Sequence, residues 1–299
     1  MNAQAASSDF DKTKEHFGLS SRTSRSKQTH ALKRWLVLAA WPPELAELHR
    51  LLKRGPLEKR VVARAAGVGL VEAAIGSTAA IAEMKPEAVI FVGTAGLYPN
   101  RRPDLGRAGV VAARRLVLSA DGVAAGDAYL PPALPATQET TLALRRIAAA
   151  TGLLMADVAC PLAITSRPVA VGRRGRAPAC DLENLEAFAV ARAAAVAGLP
   201  FAAILGISNI VGPSAHAAWK RNATNAAAAA CRAALEVIAK ATGAHRLLEV
   251  AGSGAYGAQS IEQPAGSKPA LAARSKRTSM ARRASGAIAR VSSLAYIPR

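Results

Sequence analysis

Residues 180–213 read CDLENLEAFAVARAAAVAGLPFAAILGISNIVGP, and this stretch decides which fold the chain adopts. Three carboxylates stand at its start, and no formal charge lies between Arg192 and Lys220. Pro200 interrupts this apolar run, and alanine rather than leucine fills it, which argues against a membrane span. We therefore interpret the stretch as a buried helix followed by a buried strand.

The same alternation extends over most of the chain. Short runs rich in Val, Ile and Leu predict buried strands, and the Ala-rich segments between them predict helices. The predicted strands lie in segments 35–40, 60–65, 85–99, 108–119, 156–166 and 201–212, and the predicted helices in segments 43–52, 69–84, 140–152, about 183–197 and 222–241. This alternation indicates an α/β domain, with a central and mostly parallel sheet flanked by helices.

The charge of the chain is concentrated at its two ends. Of a net charge of +19 over 299 residues, +12 lies in residues 1–34 and 263–299. We predict a disordered basic segment over residues 1–33, one folded layered domain over 34–245 and a low-complexity basic tail over 246–299. Charge alone supports weak, sequence-independent contact with polyanions, so a polyanion-binding protein is the non-enzymatic alternative.

The cysteines and the first residues of the chain indicate the cellular compartment of the protein. The three cysteines have no C-x-x-C spacing, and an odd number of them is typical of a reducing environment. The polar beginning of the sequence has no apolar segment typical of a secretory signal. We expect a cytoplasmic protein without a membrane segment.

Polar or glycine-rich residues follow three of the predicted strands. These segments are AAWPPE at 39–44, VGTAGLYP at 92–99 and GISNIVGP at 206–213, and the helix near Glu183 adds its carboxylates. In open α/β sheets, ligands bind at the carboxyl ends of the strands. The sequence therefore predicts one ligand site built from these segments. No cluster of residues resembles a metal site, and His49 and His216 stand alone, so we expect both to be structural or solvated.

Four segments occur in an order typical of one family: GVGLVEAA, PEAVIFVGTAG, LENLEAFAVARAAAVAGLPF and GISNIVGPSAHAAW. They resemble the purine nucleoside phosphorylase/nucleosidase superfamily, which includes methylthioadenosine/S-adenosylhomocysteine nucleosidases and futalosine hydrolases. The resemblance covers roughly residues 35–240. It is closest to futalosine hydrolases, whose ENMEGAA and SN-VGP patterns and following Trp resemble residues 183–187, 208–213 and Trp219. It implies a nucleoside phosphorylase-like fold.

The resemblance gives the carboxylates of the opening stretch a role. It implies that Glu186 accepts hydrogen bonds from the ribose hydroxyls, that Leu185 packs under the sugar and that Asn184 belongs to the substrate-binding set. Breaking an N-glycosidic bond builds positive charge on the ribose, and an ionised carboxylate stabilises that charge in the transition state. The alternative is that Glu183 and Glu186 are first-turn helix acids favoured by the helix dipole.

Glu44 is the second carboxylate to which the resemblance assigns a role. It implies that Glu44 orients the attacking water and takes its proton; the alternative is a solvated first-turn residue. A phosphorylase would instead hold a phosphate dianion with arginines and backbone amides. Pro42 and Pro43 donate no amide, although Arg101 and Arg102 follow the third predicted strand.

Small residues follow the core of the third predicted strand. The resemblance implies that Thr94, Ala95 and Gly96 form a loop where the backbone approaches sugar and base, which small side chains permit. An ordinary strand-to-helix turn is the alternative.

Asn209 stands where adenine-cleaving relatives carry an Asp that protonates the purine. The resemblance implies a catalytic role for Asn209, with Ser208 among the substrate-binding residues. An amide donates to O6 or N7 of a 6-oxopurine; an ordinary Asn before a Gly-Pro turn is the alternative.

The sequence thus predicts a nucleosidase that hydrolyses the N-ribosyl bond of a 6-oxopurine nucleoside derivative. The resemblance implies that it needs no cofactor and no metal, and that it forms a homo-oligomer. A nucleoside phosphorylase and a methylthioadenosine/S-adenosylhomocysteine nucleosidase remain the enzymatic alternatives.

Overall fold

The computed structural model of the chain describes residues 34–53, 55–99, 102–168 and 180–244. The segments 1–33 and 246–299, predicted as disordered basic tails, lie outside the described residues. The first and last residues described are Arg34 and Ala244, and the last residue of the predicted domain, 245, lies outside them.

Strands and helices alternate along the described residues, as the sequence predicts. The strands are β1 (Trp35–Ala39), β2 (Val61–Ala65), β3 (Ala88–Leu97), β4 (Val110–Ser119), β5 (Thr137–Glu139), β6 (Leu154–Pro161), β7 (Leu182–Glu183) and β8 (Phe201–Ile210). The helices are α1 (Ala46–Leu52), α2 (Gly69–Met84), α3 (Pro103–Ala108), α4 (Asp121–Ala125), α5 (Leu142–Ala150), α6 (Ala187–Val196) and α7 (Ala215–Ala241). A short 3₁₀ turn, Pro42–Leu45, precedes α1.

The strands form one mixed sheet flanked by helices, which confirms the predicted α/β class. Among the described strands, five of the eight pairings are parallel and three are antiparallel. The antiparallel pairings join β3 to β7, β4 to β5 and β4 to β8. Strand β8 pairs with both β3 and β4, so β3, β8, β4, β6 and β7 form a closed ring of pairings.

The sheet places the predicted site at one edge. Strands β1, β3 and β8 run parallel, so their carboxyl ends lie side by side. The core on both faces of the sheet is built from small and branched apolar residues, and α2 and α6 pack together on one side. On the other side, α7 lies against β8 so closely that a Cβ on Gly206 would stand 2.0 Å from the carbonyl oxygen of Ala226. This contact depends on small residues, which explains the alanine-rich composition of α7.

The structure corrects two predicted boundaries. The helix expected to start near Glu183 begins at Ala187, because Leu182 and Glu183 form β7 between β3 and β6. The last helix begins at Ala215 rather than at Asn222, and its first turns carry side chains that face the predicted site. In the described part of the chain, no helix is both long and apolar enough to span a membrane.

Candidate active site

One cavity of about 380 Å³ lies at the carboxyl ends of β1, β3 and β8. All nine site residues predicted from the sequence line it: Glu44, Thr94, Ala95, Gly96, Asn184, Leu185, Glu186, Ser208 and Asn209. They come from four separate parts of the chain. The structure therefore brings the predicted residues together at one place, as a ligand site requires.

Glu44 belongs to the 3₁₀ turn that follows β1, and it is buried rather than solvated. The turn starts with two prolines, which fix the backbone where the chain leaves the strand. The Ala40 amide donates to Glu44 Oε2 at 3.1 Å. Burial and then the charge of Glu186 raise the pKa of Glu44 to about 7, although hydrogen bonds from the backbone act in the opposite direction. A carboxyl with this pKa suits a proton acceptor at neutral pH.

Glu186 lies at the N-terminal boundary of α6 and is buried, with 6% of its surface exposed. Its Oε1 accepts a hydrogen bond from the Gly69 amide at 2.9 Å, and its Oε2 accepts one from Asn184 Nδ2 at 3.2 Å. Burial raises the pKa of Glu186, whereas the Gly69 and Asn184 bonds lower it. Gly69 is the first residue of α2, so the positive end of that helix faces the carboxylate.

The two carboxylates therefore differ in their surroundings. Glu186 receives two hydrogen bonds at the ends of two helices, which favour its anionic form. Glu44 accepts a hydrogen bond of 3.1 Å from the Ala40 amide, and burial together with the charge of Glu186 raises its pKa to about 7. Two carboxyl groups in such different surroundings within one cavity can divide electrostatic and proton-transfer roles between them.

Asn184 holds Glu186 in place through hydrogen bonds. Its Oδ1 accepts hydrogen bonds from the amides of Glu186 at 3.0 Å and Ala187 at 2.8 Å, at the start of α6. Its Nδ2 donates to the Thr94 carbonyl at 3.0 Å as well as to Glu186. The Asn184 amide thus fixes the Glu186 carboxylate relative to β3, and it remains a predicted substrate-binding residue.

Thr94, Ala95 and Gly96 lie inside β3, so the loop predicted for them is wrong, and so is the strand-to-helix turn considered as the alternative. The Thr94 hydroxyl accepts a hydrogen bond from Trp219 Nε1 at 3.1 Å. A Cβ on Gly96 would stand 2.9 Å from Asn209 Nδ2 and 2.8 Å from Val211 Cγ2. Glycine is therefore needed here because neighbouring side chains approach the backbone.

Asn209 lies near the end of β8 rather than in a turn, and it is 8% exposed. Its Oδ1 lies 2.8 Å from Ser208 Oγ, and its Nδ2 lies 3.2 Å from the carbonyl oxygen of Ile210. Ser208 Oγ is also 3.3 Å from the Ala95 carbonyl, while Asn222 Nδ2 donates to the Ser208 carbonyl at 2.8 Å. These contacts connect Asn209 to β3 and to α7.

Aromatic side chains that the site prediction omitted form one part of the cavity wall. Trp41 and Trp219 have ring centroids 6.4 Å apart, and the His216 ring stacks on Trp219 at 5.8 Å. His216 is exposed, as expected, but it also lines the cavity. The sequence signal that could have identified Trp41 as a lining residue is its position directly before the prolines of the Glu44 turn.

Glu183 is a further lining residue that the site prediction left out. As part of β7 it is buried, and its carboxylate receives hydrogen bonds from Tyr98 and Thr165. The proposed alternative for Glu183, a first-turn helix acid, is wrong because α6 starts four residues later.

Carboxylates dominate the charge of the cavity. Among the described residues that line it, none is Lys or Arg. Arg102 forms a two-pronged ion pair with Asp104, with contacts of 2.7–3.1 Å, and Arg101 lies outside the described residues. No group of three His, Cys, Asp or Glu side chains in the described segments is arranged as metal ligands would be.

Comparison with known proteins identifies similar folds. A family model described as the phosphorylase superfamily matches residues 34–239. A futalosine hydrolase mutant of Helicobacter pylori is similar with a TM-score of 0.59 and 17% identity, over 69% of this chain and 98% of that chain. The 5′-methylthioadenosine/S-adenosylhomocysteine nucleosidase of Neisseria meningitidis, in complex with methylthio-immucillin-A, is similar with a TM-score of 0.60 and 22% identity, over 69% of this chain and 99% of that chain. The nucleosidase of the same kind from Colwellia psychrerythraea, in complex with adenine, is similar with a TM-score of 0.61 and 20% identity, over 70% of this chain and 95% of that chain.

No curated protein sequence matches the chain. At the identities of the solved structures, the likeness establishes the fold, and it confirms the nucleoside phosphorylase-like architecture expected from the sequence.

Proposed function

The chain belongs to the phosphorylase superfamily, and from this premise we propose that it hydrolyses the N-ribosyl bond of a 6-oxopurine nucleoside derivative of the futalosine type. The observation that carries the proposal is the pair of buried carboxylates, Glu44 and Glu186, which line one cavity and differ in their hydrogen-bond surroundings. Hydrolysis of this bond needs a proton acceptor for water and a negative charge beside the ribose.

In this mechanism Glu186 acts on the sugar. Its carboxylate accepts hydrogen bonds from the ribose hydroxyls, and its charge stabilises the ribose as positive charge develops on the ring. Leu185 lies beside it on the cavity wall and packs under the sugar. Gly69 and Asn184 hold the carboxylate in place, so little reorganisation is needed when the charge develops.

Glu44 acts on water. With a pKa of about 7, it is ionised in a large fraction of molecules at neutral pH and is basic enough to take a proton. The water oxygen forms the new bond to the anomeric carbon, while the bond to the base nitrogen breaks and its electrons go to the base. The proton released by the water goes to Glu44.

Asn209 acts on the leaving base. The Ser208 hydroxyl, 2.8 Å away, donates to Asn209 Oδ1 and so leaves the Nδ2 amino group as the donor available to a ligand. A 6-oxopurine presents two acceptors, O6 and N7, on the corresponding edge. An adenine presents a 6-amino donor there, which would oppose the Asn209 donor and leave a buried polar group without a partner. The arrangement favours the 6-oxopurine.

Hydrolysis is favoured over phosphorolysis by the charge of the cavity. A phosphate dianion beside Glu44 and Glu186 would require cations or several free amides close by. The described lining residues include no Lys or Arg, and Pro42 and Pro43 supply no amide near Glu44. Water is the nucleophile that fits this surface.

The proposal is tested by release of free base from a panel of nucleosides. Futalosine, inosine, methylthioadenosine and S-adenosylhomocysteine are each incubated with the purified full chain, with and without inorganic phosphate. We expect release of hypoxanthine at a rate independent of phosphate, and slow or no release of adenine. Turnover that requires phosphate would establish a phosphorylase instead, and faster release of adenine would overturn the base assignment.

A further inference from the structure

A segment that follows β6, residues 162–168, contributes one wall of the cavity through Ile164. Six of these seven residues are exposed, and Thr165 alone among them is half-buried. Within the described part of the chain, the backbone of this segment makes no hydrogen bond to other backbone atoms. The contacts of this segment that the described residues show are made through side chains.

Glu183 supplies the main contact to this segment. Its Oε1 accepts a hydrogen bond from the Thr165 amide at 3.0 Å, and its Oε2 accepts one from the Thr165 hydroxyl at 2.6 Å. The Tyr98 hydroxyl donates to the same Oε2 at 2.8 Å from the end of β3. Glu183 is 7% exposed, so these bonds are shielded from water and costly to lose.

A second contact is weaker. Arg167 pairs with Asp121 at 3.1 Å, but both side chains are more than two-thirds exposed. Exposed ion pairs of this kind contribute little. The buried Glu183 contact therefore decides where Ile164 lies.

We propose that Glu183 is a positioning residue: its buried carboxylate fixes Thr165, and through it holds Ile164 as a wall of the substrate cavity. Glu183 then acts on substrate binding rather than on bond breaking. Both of its oxygens are already occupied by Thr165 and Tyr98, which leaves Glu186 as the carboxylate directed to the sugar.

Two substitutions separate this role from a direct electrostatic one. In Glu183→Gln, the amide oxygen still accepts from the Thr165 amide. The new amino group donates to the Thr165 and Tyr98 hydroxyls, both of which also accept. Glu183→Gln therefore keeps the hydrogen bonds to Thr165 and Tyr98 and loses the charge, whereas Glu183→Ala loses both. A positioning role predicts that Gln rescues the defect of Ala.

The first measurement is hydrogen exchange of the peptide covering residues 162–168 in the ligand-free full chain. We expect exchange about tenfold faster in Glu183→Ala than in the parent, and near-parent exchange in Glu183→Gln. Ser166→Ala is the matched control, because Ser166 lies exposed in the same segment. This measurement needs no substrate, so it stands even if the proposed nucleosidase function fails.

The second measurement rests on the proposed function and uses the substrate identified by the panel. We expect Glu183→Ala to raise KM about tenfold with kcat within threefold of the parent, and Glu183→Gln to restore KM to within threefold. An equal fall of kcat in both variants would overturn the proposal, because the charge itself would then act on the reaction. Parent-like exchange and KM in Glu183→Ala would also overturn it.

Thr165→Val provides a second route if Glu183→Ala does not fold. Valine has the shape of threonine but lacks the hydroxyl that Glu183 binds, and the amide bond remains. We expect exchange and KM to rise together by about threefold, with Thr165→Ser as the control that keeps both bonds. A Thr165→Val variant with unchanged hydrogen exchange and KM would contradict the proposal that Glu183 fixes Thr165.

Discussion

Replacing Glu44 by Gln should change how the stability of the protein depends on pH. Burial and the charge of Glu186 raise the pKa of Glu44 from 4.5 to about 7 in the folded protein. Between these two values, the folded state keeps a proton that the unfolded state has released. The free energy of unfolding therefore falls as the pH rises through this window. The full difference corresponds to about 3 kcal/mol, most of which falls between pH 5 and pH 8.

Glutamine cannot titrate, so Glu44→Gln should lack this loss. Urea unfolding followed by circular dichroism at pH 5, 6.5 and 8 gives the free energy of unfolding of both proteins. We expect the free energy of unfolding of the variant to gain about 2 kcal/mol or more relative to that of the parent on going from pH 5 to pH 8. Glu83→Gln is the matched control, since Glu83 is exposed on α2 and its loss leaves the cavity unchanged.

The activity of the parent gives an independent check of the same group. The rate of base release should rise with pH through about 7, because only ionised Glu44 accepts the proton of water. In Glu44→Gln, the rate should fall by about 10² to 10⁴-fold and lose this dependence. Identical pH dependence of stability in parent and variant would refute the assignment of a raised pKa to Glu44.

Three further substitutions test the site and the fold. Glu186→Gln should reduce kcat about 100-fold, since it removes roughly 3 kcal/mol of electrostatic stabilisation while keeping the side-chain shape; base release and circular dichroism measure the two effects. Asn209→Asp should shift the kcat/KM ratio of an inosine/adenosine pair at least about tenfold towards the 6-amino purine, and an unchanged ratio would mean that Asn209 does not face the base. Gly206→Ala places a Cβ 2.0 Å from the Ala226 carbonyl oxygen. It should lower the free energy of unfolding by about 3 kcal/mol or more, and parent-like urea unfolding would contradict the close packing of α7.

The sequence by itself determined the α/β class and the places where a site would form. Strand and helix periodicity is local, and the apolar runs at 35–40 and 201–212 placed the ends of β1 and β8 within one or two residues of the observed ends, Ala39 and Ile210. The order of the motifs was sufficient to identify the family and to select the nine residues that line the cavity. Residue type and strand position are properties that a chain carries before it folds.

Other features were decided only by contacts between distant segments. The short pairing of β4 with β8 closes the ring of strands, and nothing local in either strand indicates that it is antiparallel. Glu183 looked like a helix acid because carboxylates favour first turns, yet pairing with β3 and β6 made it part of a strand. Its bond to Thr165 exists because of that pairing.

The same distinction applies to the chemistry of Glu44 and Glu186, the two carboxylates proposed to act in catalysis. The sequence shows two glutamates, but it does not show that Gly69, 117 residues from Glu186, donates its amide to that carboxylate. Nor does it show that Glu44 is buried near a second negative charge. A pKa depends on desolvation and on neighbouring charges, and both are set by which segments meet in the folded protein. The residue types were therefore fixed by the sequence, whereas the surroundings that set their pKa values were fixed by the tertiary structure.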